Sequence, residues 1–236
     1  MEFAPLYPLI QPALKSVFPS CLWEGCGESK TIALTFDDGP HPRYTPALLE
    51  CLDKHQVTAS FFWLGQCIER APQVARTAYD QGHWVGLHGY THRSFPWLST
   101  TELKQSLEQT QEAIAQACQL DPAYVAQHVR DVRPPNGFFT PQILTQLHSW
   151  GYRPVMWSVV PEDWVRPGVE VIVNRIRNQI RDGSLIVLHD GYHGGEDVVA
   201  IVDRIVPMLR DAGYEFVTVN QLWQVQPSRA SLNPLT

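Results

Sequence analysis

From Thr31 onward, short β-rich runs alternate with longer helix-patterned segments, and this alternation constrains the fold more than any other feature. The strand candidates are residues 31–36, 60–64, 84–87, 129–133, 154–159, 184–188 and 215–219. Helical patterns fall between them at 45–55, 71–81, 100–119, 140–150, 169–182 and 196–212. The clearest is 100–119, where Thr100 suits a cap and Leu103, Leu107, Ile114 and Ala117 recur near a 3.6-residue period. Gly82, Gly151, Gly183 and Gly213 each stand where a helix should stop. Such alternation calls for parallel strands joined by helical crossovers, in an open doubly wound sheet or a barrel. No G-x-G-x-x-G follows the first strand and no G-x-x-x-x-G-K occurs, so the dinucleotide and phosphate-loop versions lose ground. A single α/β barrel-like domain is expected over 30–223. Residues 1–29 read as an extension and 224–236 as a polar, proline-containing tail.

Composition narrows the partners. Asp and Glu number 24 against 18 Lys and Arg, a net charge of −6 that argues against a nucleic-acid partner. Hydrophobic residues make up 44%, enough for a packed core, yet no run approaches the roughly 18 apolar residues of a membrane span. Five cysteines without a C-x-x-C pair do not form a disulfide framework. The nearest two, Cys21 and Cys26, read as incidental. Glu2 stands where a signal peptide would carry a cation, and prolines at 5, 8, 12 and 19 break the apolar stretch. The expectation is a cytoplasmic chain as it stands, or a cell-envelope one if a leader has been removed. Oligomeric state is left open.

Titratable residues gather just past the strand ends, where barrel active sites are built. Strand one runs into Asp37-Asp38-Gly39-Pro40 and strand three into His88-Gly89-Tyr90-Thr91-His92. Strand four ends in Arg133-Pro134-Pro135-Asn136-Gly137, strand five leads to Glu162-Asp163-Trp164, and strand six ends in Leu188-His189-Asp190. Singly, these have bland readings: paired Asp before Gly-Pro is ordinarily a turn, and an Asp before Trp a helix cap. Five such groups on one rim are not explained by packing.

Together, Thr35-Phe36-Asp37-Asp38-Gly39-Pro40, His88-x-x-x-His92, Arg133-x-Pro135-x-Gly137, Asp163-Trp164 and Leu188-His189 resemble the polysaccharide deacetylase family of carbohydrate esterases. That family includes rhizobial chitooligosaccharide deacetylases, chitin deacetylases and peptidoglycan N-acetylglucosamine deacetylases. The resemblance covers roughly residues 30–223 and implies a distorted (β/α) barrel of about seven parallel strands. It also implies a metal-dependent hydrolase that releases acetate from N-acetylated amino sugars of a glycan. An O-acetyl esterase is the runner-up, and a non-catalytic carbohydrate-binding module the reading from another class.

On that pattern Asp38, His88 and His92 hold one divalent metal ion. A carboxylate with two imidazoles suits zinc first, and also cobalt, nickel, manganese or iron. Asp37 is then the base and Arg133 the cation that orients it. His189 is the acid, with Asp163 behind it. Asn136 offers a backbone donor to the oxyanion, while Trp164 and Leu188 wall a pocket for the acetyl methyl. Three positions depart from the family pattern. Gly89 replaces Ser or Thr and loses a brace, Asn136 replaces Tyr, and Val160 replaces the first Asp of an Asp-x-x-Asp-Trp motif. Trp97, Phe138, Phe139 and Tyr192 are candidates for stacking on sugar rings, with packing the equal alternative. His41 and His193 read as incidental neighbours of the motifs.

Overall fold

Thr31–Asp37 (β1) is buried along almost its whole length, the pattern of a parallel strand covered on both faces. It pairs with Ser60–Trp63 (β2) on one side and Leu185–His189 (β6) on the other. Trp84–Leu87 (β3), Asp131–Val132 (β4) and Arg153–Pro154 (β5) extend the ladder beyond β2. The order is β5-β4-β3-β2-β1-β6, every pairing parallel, with Glu215–Phe216 (β7) joined to the start of β1. The computed structural model describes residues 6–26 and 30–224. The expected tail from residue 225 onward lies outside them.

After β5 the chain crosses the open side of the sheet. The Ser158 and Val159 N–H groups both donate to the Leu185 carbonyl at 3.0 Å, and the Val187 N–H donates to Val159 at 3.1 Å. The two edges are therefore drawn together by a bridge instead of a full ladder, which gives a distorted, incompletely closed barrel. The expected strand 154–159 is this crossing segment, regular only at its start. Likewise, 129–133 shortens to two residues because Pro122–His128 (α6) runs up to it, and 215–219 stops at Phe216 because Val219 opens a last helix, Val219–Gln224 (α10).

Helices Tyr44–Lys54 (α2), Gly65–Arg70 (α3), Pro72–Asp80 (α4), Thr100–Cys118 (α5), Pro141–Ser149 (α7), Val169–Gln179 (α8) and Val198–Asp211 (α9) fill the connections. Pro72, at the first helical position, starts α4 afresh and separates it from α3. Ser99, not Thr100, caps α5: its hydroxyl accepts from the Glu102 N–H while the Glu102 carboxylate accepts from the Ser99 N–H. The extension contributes a helix too, Tyr7–Val17 (α1), and Leu22 bridges to Val155 beyond β5. Cys21 and Cys26 are not joined by a disulfide.

Strand alternation sorts the core. Ile32, Leu34 and Phe36 of β1, Phe61 and Trp63 of β2, and Ile186 and Leu188 of β6 face the helices. The opposite parity points into the barrel. Ala33 and Leu185 pack low inside it with Leu22, Val155, Val219 and Leu222, and Phe62, level with Asp37 in the register, joins the same cluster. One step up each strand come Thr35 and Val187, then Asp37 and His189. Gly86 of β3 makes room for this layer, since a Cβ there would lie 2.8 Å from the Phe62 ring.

Candidate active site

A cleft of about 410 Å³ opens at the C-terminal ends of the strands. It is lined by Asp37, Asp38, His88, His92, Asn136, Trp157, Trp164, Val187, His189 and His193. Asp37 and His189 occupy paired positions on β1 and β6. Asp38 has a φ of 73°, which turns its side chain away from the strand direction and toward β3.

Asp38, His88 and His92 each present a donor atom within 4.8 Å of the others. The Asp38 Oδ1 oxygen lies 3.4 Å from His88 Nε2 and 3.1 Å from His92 Nε2, yet it is buried without the geometry of a hydrogen bond. His88 Nδ1 lies 2.8 Å from the Arg133 carbonyl, which can only accept, so Nδ1 carries the proton and Nε2 keeps its lone pair for the cluster. Burial raises the Asp38 carboxyl, but its imidazole neighbours override this and hold it well below the usual carboxylate range. An orphaned buried oxygen facing two imidazole nitrogens is a donor set that fits a divalent cation.

Arg133 is the largest charged group in the interior and is fully buried. Its guanidinium donates to Asp37 Oδ1 at 2.6 Å, Thr35 Oγ1 at 2.8 Å and the Met156 carbonyl at 2.9 Å, and lies 4.0 Å over the Phe62 ring. On the other wall, the Asp163 carboxylate accepts from the His189 N–H at 2.7 Å and holds His189 Nδ1 at 2.9 Å. Burial would lower the His189 imidazole. Asp163 overcomes it, helped by Asp38 and Asp37, and raises the group from 6.5 to about 10. A folded value above the unfolded one stabilises the fold fully below about pH 6.5, and that share is lost as pH rises toward 10. We therefore expect metal-free protein to lose stability across that window, and Asp163→Asn to weaken the dependence. In the loaded enzyme, the alkaline limb of kcat/KM should move to lower pH in Asp163→Asn. An unmoved limb would dissociate it from His189.

Of the ten predicted site residues, nine line the cleft or directly pair with groups that do: Asp37, Asp38, His88, His92, Arg133, Asn136, Asp163, Trp164 and His189. Asn136 has φ 58°, and its side chain donates to Ser94 Oγ at 2.9 Å and ties two rim loops together. Leu188 is the correction. It faces the helices, and Val187, which shares the parity of His189, forms the wall instead. That parity was readable from the sequence. Trp157, at the bend of the crossing segment, carries no periodic signal and was missed.

Gly89 has φ 80°, and the Tyr90 N–H beside it donates to Ser106 Oγ at 2.8 Å, so α5 supplies the brace the Ser or Thr would give. Val160 packs against Tyr7 and Val187, and the Tyr7 hydroxyl donates to the Trp157 carbonyl at 2.8 Å. His41 is structural, since its Nδ1 accepts from the Arg43 and Tyr44 N–H groups at the head of α2. His193 does line the cleft. Phe139 packs on Phe18 and Trp23, whereas Trp97, Phe138 and Tyr192 are exposed.

A sequence model of the polysaccharide deacetylase family matches residues 24–155. The chain belongs to that family. It is 34% identical over 202 residues to a peptidoglycan-N-acetylglucosamine deacetylase of Bacillus cereus, a match covering 85% of this chain and 91% of the relative. A chitooligosaccharide deacetylase of Sinorhizobium fredii is 35% identical over 194 residues, covering 78% and 87%. Among solved structures, a peptidoglycan N-acetylglucosamine deacetylase superposes with a TM-score of 0.81 at 27% identity, covering 90% of this chain and 97% of that one. A family 4 carbohydrate esterase pseudoenzyme from Bacillus anthracis also superposes, with a TM-score of 0.75 at 27% identity, covering 86% and 68%. Likeness of fold thus extends to a pseudoenzyme as well as to deacetylases. In this polysaccharide deacetylase Asp37, His189 and all three metal-ligand candidates line one cleft.

Proposed function

We propose that this enzyme hydrolyses the N-acetyl groups of amino sugars in a chitin- or peptidoglycan-like glycan and releases acetate. The observation that carries the reading is one cleft holding two buried ion pairs, Asp37–Arg133 and His189–Asp163, on either side of a three-donor cluster. Asp38, His88 and His92 would hold the divalent ion, zinc foremost on the donor types. Such an ion supplies Lewis acidity toward an acyl oxygen and makes water a stronger acid.

The protein's own residues do the rest. Asp37, held by Arg133, takes a proton from the water that attacks the acetyl carbon. The Asn136 N–H faces the oxygen on which charge develops; the bonds of its turn are made by the Gly137 and Phe138 N–H groups. An oriented donor of this kind is commonly worth ~10²–10³ in rate. As the carbon–nitrogen bond breaks, His189 gives its proton to the departing nitrogen, and Asp163 fixes the imidazole so that Nε2 faces the cleft. Trp157, Trp164 and Val187 surround the methyl. A retained base, acid and donor cluster also favour an enzyme over a binding module.

The test is acetate release from N-acetylglucosamine oligomers and other acetylated glycans. Activity should vanish on chelation and return with a divalent ion. Asp37→Asn keeps the shape of the carboxylate without its basicity, so metal content should stay near wild type while turnover falls by at least ~10². Full turnover in that variant would remove Asp37 from the mechanism.

A further inference from the structure

Outside the cleft motifs, α2 and α9 bring three metal-binding side chains together. Cys51 in α2 and His55 at its C-cap are four residues apart and so share one face. Asp203 projects toward them from α9. One donor atom from each of the three lies within 4.8 Å of the others. A tetrahedral ion with bonds of about 2.0–2.3 Å spaces its donors roughly 3.3–3.8 Å apart, so small side-chain shifts complete the arrangement. The set is graded by depth. Cys51 is buried, His55 partly so, and Asp203 exposed, which leaves a route from solvent to the sulfur.

The cluster already gathers positive charge. Asp203 Oδ1 takes the Lys54 ammonium at 2.6 Å and His55 Nε2 at 2.8 Å. The Lys54 side chain is 66% exposed, so it can leave for solvent at little cost. The Cys51 thiol has only a weak contact with the Val199 carbonyl, 3.9 Å away.

We propose that Cys51, His55 and Asp203 form a second metal site that takes a borderline-soft divalent ion such as zinc and clamps α2 to α9. Binding forms bonds to sulfur, nitrogen and oxygen, releases the thiol proton to water, shifts the His55 proton that Asp203 now holds from Nε2 to Nδ1, and displaces the Lys54 ammonium. Nothing is oxidised or reduced. Water fills the fourth position. A thiolate in the set selects zinc or cobalt over magnesium or calcium, which prefer oxygen. This site is independent of the catalytic reading.

Cobalt(II) is the probe, because a thiolate ligand gives it a charge-transfer band in the near ultraviolet that the Asp38, His88 and His92 set lacks. The full chain, saturated with cobalt and freed of unbound ion, should hold two ions per chain and show that band. Cys51→Ser should lose the band and one equivalent while keeping the other ion and its acetate release. Lys54→Met removes the competing ammonium and should tighten the second ion by up to about fivefold. If Cys51→Ser fails to fold, His55→Gln and Lys54→Met carry the test through loss and gain of the band. A saturated wild-type chain without the band, or a band that persists without Cys51, overturns the proposal.

Discussion

Arg133→Met should lower the unfolding free energy by about 3–5 kcal/mol and remove most turnover, although Arg133 is not among the residues lining the cleft. The substitution keeps a long apolar stem over the Phe62 ring and deletes the charge. It leaves Asp37, only 2% exposed, as a carboxylate without its cation, and orphans the Met156 carbonyl that the guanidinium also holds. Removing one partner of a buried pair is far costlier than the pair's net worth, because the survivor keeps its desolvation penalty. Against a total stability of about 5–15 kcal/mol, the loss is large. Denaturant unfolding should show a lower midpoint with an unchanged slope. In the double variant with Asp37→Asn the two losses should fall well short of additive, since both delete the same pair. A single-variant loss below about 1 kcal/mol would contradict the geometry.

His189→Ala should depress hydrolysis of an N-acetylglucosamine oligomer by ~10²–10⁴ and that of an activated aryl acetate much less. An amine is a poor leaving group until protonated, whereas an aryloxide departs readily without an acid. The His189 imidazole is held by Asp163 at both its backbone N–H and its ring, and stands 5.2 Å from the Trp164 ring. Asp163 raises its affinity for a proton. That is the equipment an amide needs and an ester does not. The comparison requires metal-replete protein with unchanged metal affinity, because a displaced ion would harm both substrates. Equal losses on the two substrates would make O-deacetylation the better reading.

The chemistry was legible where residue types cluster at strand ends. Asp37-Asp38, His88 with His92, Arg133, Asp163 and His189 are short-range patterns, and strand topology delivers them to one rim. Legibility failed where the signal is not periodic. Two-residue strands such as Asp131–Val132 and Arg153–Pro154 are too short for alternation to show. The Trp157 position follows from a bend that crosses from β5 to β6, and only long-range hydrogen bonds specify it. Leu188 was a different failure. The family pattern named the residue beside the histidine, whereas the alternation along β6 assigned Val187. Helix α1 was hidden by its prolines, of which Pro8 sits in the first turn at no cost in hydrogen bonds and Pro12 is carried inside. Cys51 and His55 have readable helical spacing, but Asp203 is 148 residues from His55 and only the packing of α2 on α9 joins them.

The register of β1 against β6 places Asp37 opposite His189. Adjacent strands are held about 4.8 Å apart by backbone hydrogen bonds, so the separation of Asp37 and His189 is written into the ladder and not into any loop. Rim segments carrying Trp97, Phe138 and Tyr192 can lengthen, shorten or change composition without altering that separation. For a lineage, this uncouples two kinds of variation. Which polymer enters is free to drift with the loops, while the spacing of Asp37 and His189 is inherited with the sheet.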